Sequence, residues 1–107
     1  MYVDVELISN NTYQNSTFTY KVPNQLKSKI NVGSIVVVPF RNRDYKAIIL
    51  STSNESLIEN PKQIKKYINI TLNSSQLKYL QQLAISYRLN IGILLYNFVD
   101  IFALSNQ

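Results

Sequence analysis

Apolar and polar side chains alternate with a period of two up to Thr71, and a helical period takes over after it. Val3, Val5 and Leu7 alternate with Asp4 and Glu6, which predicts a strand over 3–8. The polar run Ser-Asn-Asn-Thr-Tyr-Gln-Asn-Ser at 9–16 predicts a loop. Over 17–22, Phe18, Tyr20 and Val22 take one face and Thr17, Thr19 and Lys21 the other. Pro23 has no N–H to donate to a ladder and ends that strand. A polar connection over 24–33 follows, in which Gly33 supplies a backbone angle that side chains resist. The β-branched run Ile35-Val36-Val37-Val38 predicts a strand buried on both faces and closed by Pro39-Phe40. Arg41-Asn42-Arg43-Asp44 is the predicted turn, and Tyr45 to Ser51 the returning strand. After a second polar loop ending in Asn60-Pro61, residues 63–70 form another strand. Ile64, Ile68 and Ile70 point inward there, Lys65 and Tyr67 outward, and Lys66 buries its stem at the rim.

Beyond Thr71, Leu77, Leu80, Leu83, Ala84 and Tyr87 fall at helical spacing. Asn73 is the expected N-cap, with Gln76 completing a capping-box pattern. Asn90 is placed to cap a second helix from Ile91 to Val99, with Gly92 in its first turn. Strands followed by helices indicate an α+β fold: a small antiparallel, OB-like β-barrel over 1–72 and a helical extension over 73–107 packed on it as one compact domain. The apolar end, Ile93 to Phe102, exceeds what one helix needs to dock and is expected to cover the barrel or meet a neighbouring domain.

Composition removes several classes of chemistry. The 107 residues include no cysteine and no histidine. Disulfides, thiolate and imidazole metal sites, and triads built on either side chain are therefore excluded. The six carboxylates, Asp4, Glu6, Asp44, Glu55, Glu59 and Asp100, include no obvious acid/base pair with a nucleophile, which argues against catalysis by this chain. No apolar run approaches the ~20 residues that span a bilayer. Acids occupy the N-terminus where a signal peptide would be apolar, so a soluble, cytoplasmic protein is expected; a monomer is expected as well. The net charge is +5, and nine of the eleven basic residues lie between Lys21 and Lys66 against only three acids. A basic half of this kind suits a polyanion such as nucleic acid, while an ordinary solvated surface gives the same count.

Phe18-x-Tyr20-x-x-Pro23, Gly33, Val36-x-Val38-Pro39-Phe40, Arg43, Ala47-Ile48-Ile49, Ile64-Lys65, the Leu77 to Tyr87 stripe and Ile91-Gly92 follow one another at informative spacing. Together they resemble the N-terminal DNA-binding domain of the primosomal protein N′ (PriA) replication-restart helicases, over roughly residues 4 to 104. The resemblance implies an OB-like barrel with appended helices in a bacterial protein, binding the 3′ end of the nascent leading strand at a stalled or repaired fork. It also implies an attached helicase that is missing here, since there is no Gly-x-x-x-x-Gly-Lys-Ser/Thr segment and no zinc-ligand cysteine. ATP and zinc belong to those other parts of the parent family, and no cofactor is expected in this domain. Thr19 stands where the family often has Asp, Arg41 and Ala47 where it usually has Gly. Arg41 thereby adds a cation at the implied groove.

The candidate DNA-binding residues are Phe18, Thr19, Tyr20, Lys21, Arg41, Arg43, Lys65 and Tyr67. Phe18 and Tyr20 offer faces on which bases stack, yet they share a side with Val22 and equally fit the core. Thr19 and Lys21 fall on the opposite, wetter side. Arg41 and Arg43 at a hairpin tip suit phosphate oxygens, or are simply solvated. Lys65 beside Tyr67 would pair a cation with an aromatic, and Lys65 matches a lysine the family uses near the terminal nucleotide. The competing view is a protein-interaction or structural domain whose basic surface is incidental.

Overall fold

The computed structural model describes residues 1–9 and 17–97. Most of the first polar loop, Asp100 and the apolar end towards Phe102 lie outside the described residues, as does the last part of the predicted second helix. Five strands, β1 (Tyr2–Leu7), β2 (Thr17–Lys21), β3 (Ser34–Phe40), β4 (Arg43–Ser53) and β5 (Lys66–Thr71), precede α1 (Ser74–Tyr87) and α2 (Ile91–Asn97). A short 3-10 turn at Asn24–Leu26 interrupts the connection after β2. The strands form one antiparallel sheet in the order β2-β1-β4-β3-β5.

The sheet is rolled but its ladder does not close. Among the described residues, the segment leading into β5 reaches the β2 edge. Lys21 N–H donates to the Lys62 carbonyl at 2.8 Å, and Ile64 N–H donates to the Lys21 carbonyl at 3.0 Å. The side chains of the two faces form two separate cores. Val3, Val5, Tyr20, Val22, Val36, Val38, Ile49 and Ile64 fill the inside of the roll. Ile35, Ile48, Ile68 and Leu72 meet Leu77, Leu80, Leu94 and Leu95 of the helices on the other side. Adjacent Ile48 and Ile49 are both fully buried, on opposite faces, because β4 lies between β1 and β3 with a core on each side.

The helices begin as the sequence dictates. Asn73 accepts from Gln76 N–H at 2.8 Å while the Gln76 side chain accepts from Asn73 N–H at 2.9 Å. Asn90 accepts from Ile93 N–H at 2.8 Å and starts α2. Tyr87 departs from the expected stripe and is exposed, because α1 ends there and Arg88 turns into the left-handed region at φ 55°. Gly92 has a tertiary reason to be glycine. A Cβ there would lie 1.9 Å from the Leu7 carbonyl oxygen, so α2 rests directly on the β1 backbone. Its N–H donates to the carboxylate of Glu6, a buried acid on β1 whose pKa burial raises and this hydrogen bond partly restores. Gly33 adopts φ +95°, and a Cβ would sit 2.2 Å from the Leu72 carbonyl oxygen.

Two local readings need correction. The β3–β4 turn contains two residues, not four. Arg41 and Asn42 both have positive φ, and Phe40 pairs with Arg43, which already belongs to β4. The alternation predicted over 63–70 also fails, because the segment switches faces. Ile64 and Tyr67 face the inside of the roll, whereas Ile68 and Ile70 face the helices. Regular β5 pairing starts only at Lys66, a shift in register interrupts it, and Asn69 has φ 61°. Tyr67 is therefore half-buried against the inner core, its hydroxyl 2.7 Å from Thr71 Oγ1, and Lys66 is exposed instead of buried at the rim.

Candidate nucleic-acid interface

β2 is an edge strand, and the direction of its backbone groups follows from the register. Val22 N–H donates to the Met1 carbonyl across the sheet, whereas Lys21 N–H and C=O engage the 62–64 segment. Alternation then turns the N–H and C=O of Thr19 away from β1. They face a cavity of about 570 Å³ lined by Thr17 to Tyr20 of β2, Pro39, Phe40 and Arg41 at the end of β3, and Ile58, Asn60, Pro61 and Lys62 of the β4–β5 loop. Its size lies in the range of small-ligand pockets.

One wall is aromatic. The Phe18 and Phe40 rings lie 4.6 Å apart, tilted at 41°, and Tyr45 meets the edge of Phe40 at 6.0 Å. Both Phe18 and Phe40 remain half-buried, so ring area is left for a ligand. The left-handed two-residue turn folds Arg41 back, placing its guanidinium carbon 5.1 Å from the Phe40 ring centre. Tyr20 is a wall residue of a different kind. It is buried, its hydroxyl donates to the Pro39 carbonyl at 2.7 Å, and burial raises its pKa. This bond ties β2 to the end of β3, and both residues line the cavity.

The polar face of β2 is organised by Asp4. Asp4 and Thr19 are directly opposed in the ladder, in a pair whose backbone groups point away from each other, the arrangement that brings side chains closest. Thr19 Oγ1 donates to Asp4 Oδ1 at 2.6 Å, and Ser51 Oγ donates to Asp4 Oδ2 at 3.2 Å. Thr19 borders both the aromatic cavity and a smaller one, about 180 Å³, that holds Asp4, Ser51 and Glu55. A third cavity, about 550 Å³, shares Ile58, Asn60 and Pro61 with the aromatic one and is bordered by Lys21.

Four of the eight candidates, Phe18, Thr19, Tyr20 and Arg41, thus meet at one cavity, and Lys21 borders its neighbour. The structure places the other three elsewhere. Arg43 starts β4 with its side chain exposed, outside the lining. Lys65 forms an exposed ion pair with Asp44 at 2.8 Å. Tyr67 packs into the roll rather than beside Lys65 on a wet face. Phe40, Pro61, Lys62 and Asp4 complete the site and stand outside the eight candidates. The run Lys62 to Lys66 carried the signal for a cation there, but the family resemblance together with alternation selected Lys65, and the chain path through 62–65 is not that of a regular strand. Among the described residues there is no cluster of acids able to hold a metal ion, and no helix is long and apolar enough to cross a membrane.

Comparison with known proteins gives one finding. The family described as the 3′ DNA-binding domain (3′BD) of PriA matches residues 3–99, most of the chain and all of the sheet but Tyr2. No curated protein matches it.

Proposed function

The chain belongs to the PriA 3′ DNA-binding domain family, as a DNA-binding and not a catalytic domain of replication restart, and from this premise we propose that its aromatic cavity receives the 3′-terminal nucleotide of a DNA strand. The terminal base stacks on the Phe18–Phe40 wall, an interaction that tolerates any base because each has a π-face. Arg41 and Lys62 contact the adjoining phosphate, and the backbone groups of Thr19 bond the sugar. Lys21, beside the neighbouring cavity, contacts the strand leading in. In a full-length protein this would hold the nascent leading strand at a stalled fork beside a helicase.

The observation that carries this reading is the convergence of an aromatic pair, two cations and an open strand edge on one cavity that ends at backbone. The Lys21–Lys62 and Ile64–Lys21 hydrogen bonds seal the β2 edge, so a strand laid along β2 meets main chain there. An end fits such a place better than the middle of a strand. The test is fluorescence anisotropy with a fork bearing a recessed 3′ end and with a closed single-stranded circle, at one salt concentration. The fork is expected to bind more tightly, and equal affinity for the two would reject recognition of an end.

A further inference from the structure

The geometry points to the neighbouring cavity of about 550 Å³ as a base-reading site, one that holds the penultimate nucleotide and prefers guanine there, with Glu55 setting the preference. The inference rests on the terminal-nucleotide reading and adds to it a second site whose sequence preference the first lacks.

The two cavities share Ile58, Asn60 and Pro61, so a strand whose last nucleotide fills the first brings the one before it to the second. Strand register arranges what that nucleotide meets. Tyr2 stands opposite Lys21 on one side and Ser53 on the other, so the three side chains form a row on one face of the sheet. The outer two are separated by two strand spacings, about 10 Å. The half-buried Tyr2 lies between them and offers a ring on which a base can stack. Gln63 is bridged to Lys21, which holds an amide and a cation at one end of the row. At the other end, Ser53 Oγ accepts from Glu55 N–H at 3.1 Å and donates to the Glu55 carbonyl at 3.0 Å, which holds a carboxylate there. All of these residues but Ser53 line the cavity.

Amide donor, ring and carboxylate in that order suit guanine best. Guanine presents two adjacent donors, N1–H and the 2-amino group, beside the acceptor O6. An ionised carboxylate only accepts, and its two oxygens take two parallel donors, while O6 requires an N–H such as the Gln63 amide supplies. Adenine and cytosine offer a carboxylate one amino group next to a ring-nitrogen lone pair, and thymine one N–H between two carbonyl oxygens. Each of these sets a lone pair against the carboxylate. Lys21 remains with the phosphate of the strand, at the end of the row away from Glu55. Among the described residues the terminal cavity has no carboxylate in its lining, and stacking there accepts any base.

The experiment uses the 107-residue chain and labelled thymidine single strands that differ only in the penultimate base: guanine, hypoxanthine (guanine without its 2-amino group), adenine, cytosine or thymine. A closed circle carrying one guanine is the end-free control, and a strand with its guanine moved to the middle tests register. Affinities are read by fluorescence anisotropy at one salt concentration. Penultimate guanine is expected to bind about three- to ten-fold more tightly than hypoxanthine, the scale of one hydrogen bond, and to exceed the other three bases by at least as much. E55Q, which replaces one carboxylate oxygen by a donor, is expected to bring the guanine-to-hypoxanthine ratio close to one. K21A should weaken all five strands alike and keep the ratio. A purely structural role for Glu55 would weaken every strand equally, so E55Q with the wild-type ratio overturns the inference. A wild-type chain that prefers strand ends to the circle yet binds guanine and hypoxanthine alike overturns it too, as does an equal preference for guanine in the middle of the strand. Those outcomes spare the terminal-nucleotide reading. Equal affinity for linear strands and circle overturns both.

Discussion

Replacing Gly92 by alanine sets local propensity against tertiary packing, and the structure decides the sign. In an isolated helix the change is favourable by about 1 kcal/mol. Here the new Cβ would lie 1.9 Å from the Leu7 carbonyl oxygen, with the carbonyl carbon at 3.0 Å and a Glu6 carboxylate oxygen at 3.1 Å. Ordinary contact requires a retreat of about 1.5 Å. The obstacle is backbone inside β1, which pairs on both sides with β2 and β4, so α2 must move instead. That movement breaks the Gly92 N–H bond to the buried Glu6 carboxylate and loosens Leu94 and Leu95 in the helix-side core. Losing a partner for a buried charged acceptor costs about 1.5–3 kcal/mol, and overpacking typically about 1–3 kcal/mol. Set against the propensity gain, a net destabilisation of about 1.5–5 kcal/mol is expected. Urea denaturation followed by circular dichroism measures it as a fall in the midpoint at unchanged slope. A variant as stable as the parent, or more stable, would refute the direct seating of α2 on β1.

Glu6 should make stability depend on pH. Its folded pKa is raised from 4.5 chiefly by burial, so above that value the native state holds the proton more tightly than the unfolded chain. The Glu6 contribution is fully present below about pH 4.5 and declines as pH rises through the raised folded value. E6Q, which keeps an acceptor for Gly92 without the charge, should exceed the parent in stability at pH 7.5 and converge with it at pH 4.5. Denaturation midpoints at the two pH values check this, and a gap that did not change with pH would count against it. Phe40→Ala removes half of the aromatic wall and should weaken DNA binding by about 1–3 kcal/mol, read by anisotropy at fixed salt. Lys62→Ala should lower the slope of log affinity against log salt by about one. Lys65→Ala, whose ammonium is engaged by Asp44, should change that slope less and alter stability by under about 1 kcal/mol.

Much of this molecule was legible in one dimension. The alternation at Phe18, Tyr20 and Val22, the β-branched run at Ile35 to Val38, and the caps at Asn73 and Asn90 depend on contacts within a few residues, and each forms as its local chemistry dictates. Strand existence, the change to helix after Thr71, and the aromatic and basic character of the site belong to this group. Tertiary structure decided where periodicity is broken and who meets whom across the sheet. The face switch between Ile64 and Ile68 arises because residues 62–65 close the β2 edge before β5 begins, a constraint set by a strand more than forty positions away. It turned Tyr67 inward, left Lys65 to Asp44 and brought Lys62 to the cavity. Asp4 and Thr19 are fifteen positions apart, and no pattern within either strand marks their partnership. Only the register of β1 against β2 places carboxylate and hydroxyl side by side. Side-chain periodicity is a property of each strand alone, whereas pairing is fixed by which cores the assembled strands bury together.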